Sequence, residues 1–462
     1  TTGDVYVAGF AASTDFPNTS GGAQGGYGGG LYDAFVARLS ADLKILHQST
    51  YLGGNRDDRA HALAIHPTTG DVYVAGYTDS INFPNTSGGA QGSCSSCTTY
   101  SDAFVARLNE ELTEILKSTY LGGSSLDYAN ALAIHPTTGD VYVAGETWST
   151  DFPNTSGGAQ GSYGGGASDA FVARLNEELT EILKSTYLGG SNGDGATALA
   201  IHPTTGDVYV AGVTRSYDDF PETSGGAQGS YGGGYYDVFV ARLNKELNQI
   251  LKSTYVGGNN WDYATALAIH PTTGEVYVAG ETSSDNFPET SGGAQGSNGG
   301  HGDAFVARLN KELTEILKST YLGGSDNDFA TALAVHPITG DVYVAGVTRS
   351  YVDFPETSGG AQATYGGGWN DAFVARLNKE LTEILKSTYL GGSDSDVANA
   401  LAIHPTTGEV YVVGDTSSIN FPKTSGGARE SCSNCIIYSD AFVARLSVNL
   451  TNGPILSISP QP

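Results

Sequence analysis

Methionine is absent from all 462 residues, so Thr1 is not a translation start. The chain is expected to be a processed product or the ordered part of something longer. No signal peptide is visible at its beginning. No apolar run is long enough to cross a bilayer as a helix, which argues against a membrane-spanning role. Basic residues are scarce, 22 Lys and Arg against 49 Asp and Glu, for a formal net charge of −27. Such a surface repels phosphates and argues against nucleic acid as a partner, while favouring solubility, cations and basic partners. Catalytic signatures are also missing. There is no HExxH, no phosphate-binding loop and no Ser-His-Asp pattern, and the unmatched histidines His47, His61 and His301 form no motif. An enzyme is therefore not expected, because catalysis needs one unique constellation of groups.

What the chain has in quantity is glycine (64) and tyrosine (27), a composition of short strands joined by tight turns. It also has a repeat. The acidic residue before each "VYVAG" or "VYVVG" falls at Asp4, Asp71, Asp140, Asp207, Glu275, Asp341 and Glu409, at steps of 67, 69, 67, 68, 66 and 68 residues. Each complete unit holds four strand-like runs, seen in the second as "HALAIHP" (61–67), "DVYVAG" (71–76), "DAFVARL" (102–108) and "EILKSTYLGG" (114–123). They are designated A to D. Strands B and C are apolar at successive positions, as suits strands covered on both faces. The connectors "HPTTG", "LNEEL" and "LGGS" carry turn chemistry. Four antiparallel strands taken seven times predict an all-β fold, a single seven-bladed β-propeller over residues 1–462 with units starting near 4, 71, 140, 207, 275, 341 and 409.

The succession "ALAIHPTTGDVYVAG", "DFP", "SDAFVARL" and "LKSTYLGGS" resembles the SBBP (seven-bladed β-propeller) repeat of bacterial and archaeal extracellular proteins, and is more distantly similar to YVTN-type surface-layer propellers. The resemblance covers essentially the whole chain. It implies an exported propeller, extracellular or at the cell surface, and implies no reaction.

Alternating strand direction puts the A–B and C–D connectors on one face of the disc and the B–C and D–A loops on the other. On the first face seven acid–arginine pairs are expected to fix register: Asp4 with Arg38, Asp71 with Arg107, Asp140 with Arg174, Asp207 with Arg242, Glu275 with Arg308, Asp341 with Arg376, and Glu409 with Arg445. Six histidines share one repeat position, His66, His135, His202, His270, His336 and His404. Their blades diverge around a channel, so a hairpin role outweighs a shared metal. On the second face the D–A loops carry Asp58, Asp127, Asp194, Asp262, Asp328 and Asp396, and strand C begins with Asp33, Asp102, Asp169, Asp237, Asp303, Asp371 and Asp440. Turn capping is preferred there, with Ca²⁺ as the competing reading for the D–A loop acids; no other cofactor is expected. The B–C loops run past the length at which loops are usually functional or mobile, and their recurrent "FP" predicts an aromatic–proline anchor. Trp148, Trp261 and Trp369 also fall on this face.

Only four cysteines occur, Cys94/Cys97 and Cys432/Cys435, each pair in a B–C loop two residues longer than most. Haem attachment would need His where Thr98 and Ile436 stand, and a shared zinc site would need the two loops to meet. Local disulfides in an oxidising location are favoured, with links to a neighbouring molecule as the alternative. Asn18, Asn85, Asn154 and Asn449 head N-x-S/T triplets and are candidate glycosylation sites.

The expected function is a secreted or cell-surface structural subunit that assembles with copies of itself or with surface components into a layer, sheath or filament. The alternative is a lectin-like or protein-binding adhesin using the second face. One feature leaves a fork. The first unit lacks its strand A, and the chain ends "ILSISP" (455–460). Likeness to "ALAIHP" favours closure of the ring by pairing of the chain ends, while likeness to "ILKST" and the spacing after strand C favour an outer strand of the last blade. Closure is the preferred expectation.

Overall fold

The structure is a computed structural model that describes residues 3–432, 435 and 439–451, and the backbone of a strand at 455–459. All of its regular elements are β-strands, arranged as seven antiparallel sheets in a ring. The first blade contains β1 (Val5–Ala11), β2 (Asp33–Leu39) and β3 (Leu46–Leu52), and the second β4 (Asp58–Ile65), β5 (Val72–Thr78), β6 (Asp102–Leu108) and β7 (Ile115–Leu121). Among the described residues, blades two to seven have four strands in the order A-B-C-D, and blade one shows B, C and D.

Val, Tyr, Phe and Ala crowd strands B and C because both faces of each are buried between blades. In the second blade Val72, Tyr73, Val74, Ala75, Phe104 and Val105 have no exposed surface. Each apolar layer joins two blades: Tyr73, Ala75, Val105 and Leu121 of the second pack on Leu132, Val143, Phe152 and Phe171 of the third. A hydroxyl tie crosses each layer, as where the Tyr73 hydroxyl donates to the Glu177 carbonyl at 2.7 Å.

The expected closure by pairing of the chain ends is corrected. Ile455–Ser459 pairs antiparallel with Asp440–Leu446, Ala441 opposite Ser459, and is the outer strand of the last blade. A local hairpin closes a much shorter loop than a strand returning to the first blade, so its entropic cost is lower. Pro460 lies outside the described residues. The ring closes by blade-on-blade contact instead: Tyr411 and Val443 of the last blade pack on Val7, Phe35 and Leu43 of the first, the Tyr411 hydroxyl donates to the Ala41 carbonyl at 2.7 Å, and the Ala428 N–H donates to the Leu43 carbonyl at 2.8 Å.

The long B–C loops do not stand free on the second face. In blades one to six each descends along its blade's outer edge. In the second blade the Ser118 N–H donates to the Asn85 carbonyl and the Tyr120 N–H to the Gln91 carbonyl, both at 3.1 Å. The same two bonds recur in blades one and three to six. An outer strand otherwise presents unpaired backbone to other chains, and here the loop covers it. The "FP" phenylalanine pins the loop: Phe83 is buried, its N–H donates to the Tyr120 hydroxyl at 3.0 Å, and its ring lies 4.4 Å from that of Phe104.

Two residues after that Phe the chain passes through the left-handed region, at Asn18, Asn85, Asn154, Glu222, Glu289, Glu356 and Lys423 (φ between 56° and 62°). Asparagine tolerates this conformation better than Glu or Lys. Glu289→Asn is therefore expected to raise stability by about 1 kcal/mol, read as a higher denaturant midpoint at unchanged slope.

Candidate functional site

On the first face the seven acid–arginine pairs lie in contact. Arg107 Nη2 is 2.6 Å from Asp71 Oδ2, and Arg38–Asp4, Arg174–Asp140, Arg242–Asp207, Arg308–Glu275 and Arg376–Asp341 span 2.5–2.8 Å. Arg445–Glu409 is looser at 3.7 Å. The guanidinium also reaches the next blade, Arg107 Nη1 donating to the Glu177 carbonyl at 3.2 Å. These pairs tie strands and blades together.

The repeated histidines do not converge. His66 Nδ1 accepts from the N–H groups of Thr68 and Thr69 at 3.3 and 3.1 Å, capping its own "HPTTG" turn. Its Nε2 lies against the glycine of the next blade's turn, 3.1 Å from where a Cβ on Gly139 would stand. The sequence carries the histidine and the glycine, but no local signal pairs them across 73 residues.

On the second face the carboxylates pair between blades rather than within them. The strand-C acid of one blade and the strand-A acid of the next straddle one glycine: a Cβ on Gly53 would meet Asp58 Oδ2 at 2.7 Å and Asp33 Oδ1 at 3.0 Å. Asp102/Asp127, Asp169/Asp194, Asp237/Asp262, Asp303/Asp328 and Asp371/Asp396 repeat the arrangement. In the second and third blades the strand-A member, Asp58 or Asp127, accepts on both oxygens. Asp58 Oδ2 accepts from the Gly54 N–H at 2.7 Å and the Ser80 hydroxyl at 3.0 Å, and Oδ1 accepts from Thr78. Oδ1 is buried without a hydrogen-bond partner in Asp33, Asp169, Asp237, Asp303 and Asp371 of strand C, and equally in Asp194, Asp262, Asp328 and Asp396 of strand A.

Burial therefore pushes these acids up, Asp58 and Asp127 to about 7, Asp194, Asp262, Asp328 and Asp396 to about 6. Asp33 rises to about 6, Asp169, Asp303 and Asp371 to about 7, and Asp237 to about 8 for the same reason. Asp102, given a hydroxyl by Ser96 at 2.6 Å, is raised as well. Asp440 opens strand C of the last blade, opposite Thr416.

Cys94–Cys97 and Cys432–Cys435 are disulfide-bonded, with Cα separations of 5.7 and 5.8 Å. Cys97 and Cys435 are buried at matching places, each within 3.4 Å of the carbonyl that ends strand B. Among the described residues the groupings of three metal-ligating side chains are these cysteine pairs with Asp102 and Asp440, whose sulfurs are already covalently used. The sequon residues Asn18, Asn85 and Asn154 are exposed, and the amide nitrogen a glycan would occupy donates to an outer-strand carbonyl, for Asn85 that of Ile115 at 2.6 Å. Asn449 accepts from Arg376 at 2.7 Å on the opposite face.

Departures from sevenfold repetition concentrate on the second face. Trp148 packs edge-on against Tyr128, whereas Trp261 and Trp369 are 54% and 77% exposed. Trp369 joins Asp326, Arg349, Tyr351 and Tyr365 around an open cleft of about 610 Å³ on the sixth blade. Such a mix of aromatic faces, one carboxylate and one guanidinium is suited to stacking and hydrogen bonding.

No family model matches the chain, and comparison with curated proteins gives no match either. Among solved structures it is similar to hydrazine synthase of Kuenenia stuttgartiensis, at 10% identity over 87% of this chain and 92% of that one, with a TM-score of 0.47. It is also similar to Sqt1 of Chaetomium thermophilum, at 11% identity over 100% and 83% of the two chains, with a TM-score of 0.44. Similarity at this level carries no argument about activity.

Proposed function

We infer that the protein is a secreted or cell-surface structural propeller, built to pack with copies of itself or with other surface components. The observation that carries this reading is the use of the repeated polar groups. Acids, arginines and histidines that recur blade after blade are engaged with the fold itself, so repetition serves rigidity rather than a reaction. The two disulfides support an oxidising, extracellular location. The likeness of the repeat to SBBP propellers supports export. A second reading, a carbohydrate- or protein-binding adhesin, is favoured by the Trp369–Tyr351 cleft.

Electron microscopy and size exclusion at rising concentration separate the two readings. A structural subunit is expected to give ordered polymers or arrays. A strict monomer retained on a glycan array, with retention lost in Trp369→Ala, would overturn the structural reading in favour of the adhesin.

A further inference from the structure

Two blades break the repeat in the same way. After strand B the fourth reads "TRSYDDFP" (214–221) and the sixth "TRSYVDFP" (348–355), where the second reads "TDSINFP" (78–84). An arginine, Arg215 or Arg349, takes a position that varies elsewhere, and one added residue brings in a tyrosine, Tyr217 or Tyr351. Both blades also place a ring, Tyr235 or Trp369, two positions before the aspartate of strand C. The fold does not need these changes, because five blades close their rims without the arginine or the added residue.

In the fourth blade the group closes on itself. The Arg215 guanidinium lies over the rings of Tyr235 and Tyr236, 3.8 and 4.2 Å from their centroids, and its Nη2 donates to the Tyr236 hydroxyl. Tyr217 meets Tyr231 edge-on at 4.7 Å. In the sixth blade Asn370 stands where Tyr236 does, and its amide turns away to the Asp396 carbonyl at 3.4 Å. Tyr351 and Tyr365 stand 6.4 Å apart, and the cleft of about 610 Å³ opens between them, Trp369 and Asp326. Among the described residues the Arg349 side chain makes no hydrogen bond or ion pair, and its Nε is buried without a partner. The two polar walls are held at fixed spacing. The Asp326 N–H donates to the Ser350 hydroxyl at 3.1 Å, and the Arg349 N–H donates to the Asn327 carbonyl at 3.0 Å.

We propose that the sixth-blade cleft binds a neutral pyranose ring bearing vicinal hydroxyls. The C–H face of the sugar stacks on the exposed ring of Trp369, a flat apolar surface. One hydroxyl donates to the Asp326 carboxylate, and its neighbour accepts from the Arg349 guanidinium. Asp326 Oδ1 already accepts from the Asn327 N–H at 2.8 Å, which orients the carboxylate and leaves Oδ2 for the ligand. The cleft carries one positive and one negative group, so a neutral ring with donors and acceptors side by side satisfies both. An acidic sugar would face Asp326 and a surface of net charge −27, and a quaternary ammonium would face Arg349. The fourth blade is the same site with its own tyrosine laid over the arginine. This inference rests on the second reading, that of a binding module, and gives that module its ligand class.

The test is calorimetric titration of the 462-residue chain with methyl glycosides of neutral hexoses, with a methyl uronic acid and with tetramethylammonium, beside a glycan array. Saturable one-to-one binding of a neutral glycoside is expected, weakened about tenfold or more in Trp369→Ala and in Arg349→Ala. Asn370→Tyr is expected to abolish it by supplying the ring that covers Arg215 in the fourth blade. Tyr236→Asn is expected to raise the stoichiometry to two by uncovering that arginine. An unchanged thermal transition shows that each variant is folded. Glycan binding indifferent to all four substitutions overturns this site and leaves the binding-module reading standing. Absence of binding to any glycan, in solution and on the array, overturns both. Binding confined to the uronic acid or to tetramethylammonium overturns the neutral-sugar assignment.

Discussion

Between pH 5 and pH 8 the protein is expected to lose stability as pH rises, seen as a falling denaturant midpoint. The cause is the set of six inter-blade carboxylate pairs. A free aspartate titrates near 3.9. Burial raises the folded-state values to about 6 for Asp33 and Asp262, about 7 for Asp58 and Asp371, and about 8 for Asp237. Between those limits the folded chain holds more protons than the unfolded chain, and stability falls with pH in that condition. The contribution is complete below about pH 4 and is lost as pH climbs through 6 to 8. One proton per pair and one unit of elevation per proton already amount to about 8 kcal/mol over six pairs.

Relief of self-repulsion among −27 charges acts in the same direction, but salt screens it. The buried term should persist at 0.5 M salt. Asp237→Asn supplies the local check. Its neutral amide should match wild type at pH 5 and exceed it at pH 8. A midpoint that is flat or rises from pH 5 to 8 in high salt would falsify the assignment of these acids as protonated in the fold.

Gly145→Ala is expected to cost about 3 kcal/mol or more, while Gly9→Ala, at the same repeat position, stays within about 1 kcal/mol. The glycine is dictated by close approach. Strand A carries a bulge between Ala129 and Ala131, which brings the Tyr128 carbonyl to 1.8 Å from any Cβ on Gly145. Backbone cannot yield as a side chain can, so the third blade would have to release its inner strand. Gly9 faces only the rim of Phe35, which can shift by a few tenths of an ångström. Thermal unfolding of the two variants side by side checks the contrast, and equal losses would overturn it.

Much of the architecture is legible in the chain itself. Seven copies of one unit, strands apolar at successive positions and turn residues at fixed offsets leave little besides a propeller. The C-strand prediction 102–108 coincides with β6, and B and D fall within two residues of β5 and β7. The inner strand was the least well bounded, predicted from 61 and observed from Asp58, because its first turn is set by Asp58 accepting from Gly54, Thr78 and Ser80.

What the sequence by itself determined is what repeats locally: strand number, turn chemistry and the acid–arginine spacing within each blade. Tertiary structure decided everything that passes between blades or along their edges. Asp33 belongs with Asp58 of the following blade, not with its own blade's acids, because the D–A loop glycine lies between them. The long loops are rim covers, because an outer strand's N–H groups need acceptors and the loop carbonyls of Asn85 and Gln91 provide them. The strand "ILSISP" resembles two others almost equally, and pattern alone could not choose between them. The hairpin with Asp440–Leu446 prevailed because it closes the shorter loop, and Ile455–Ser459 is the outer strand of the last blade.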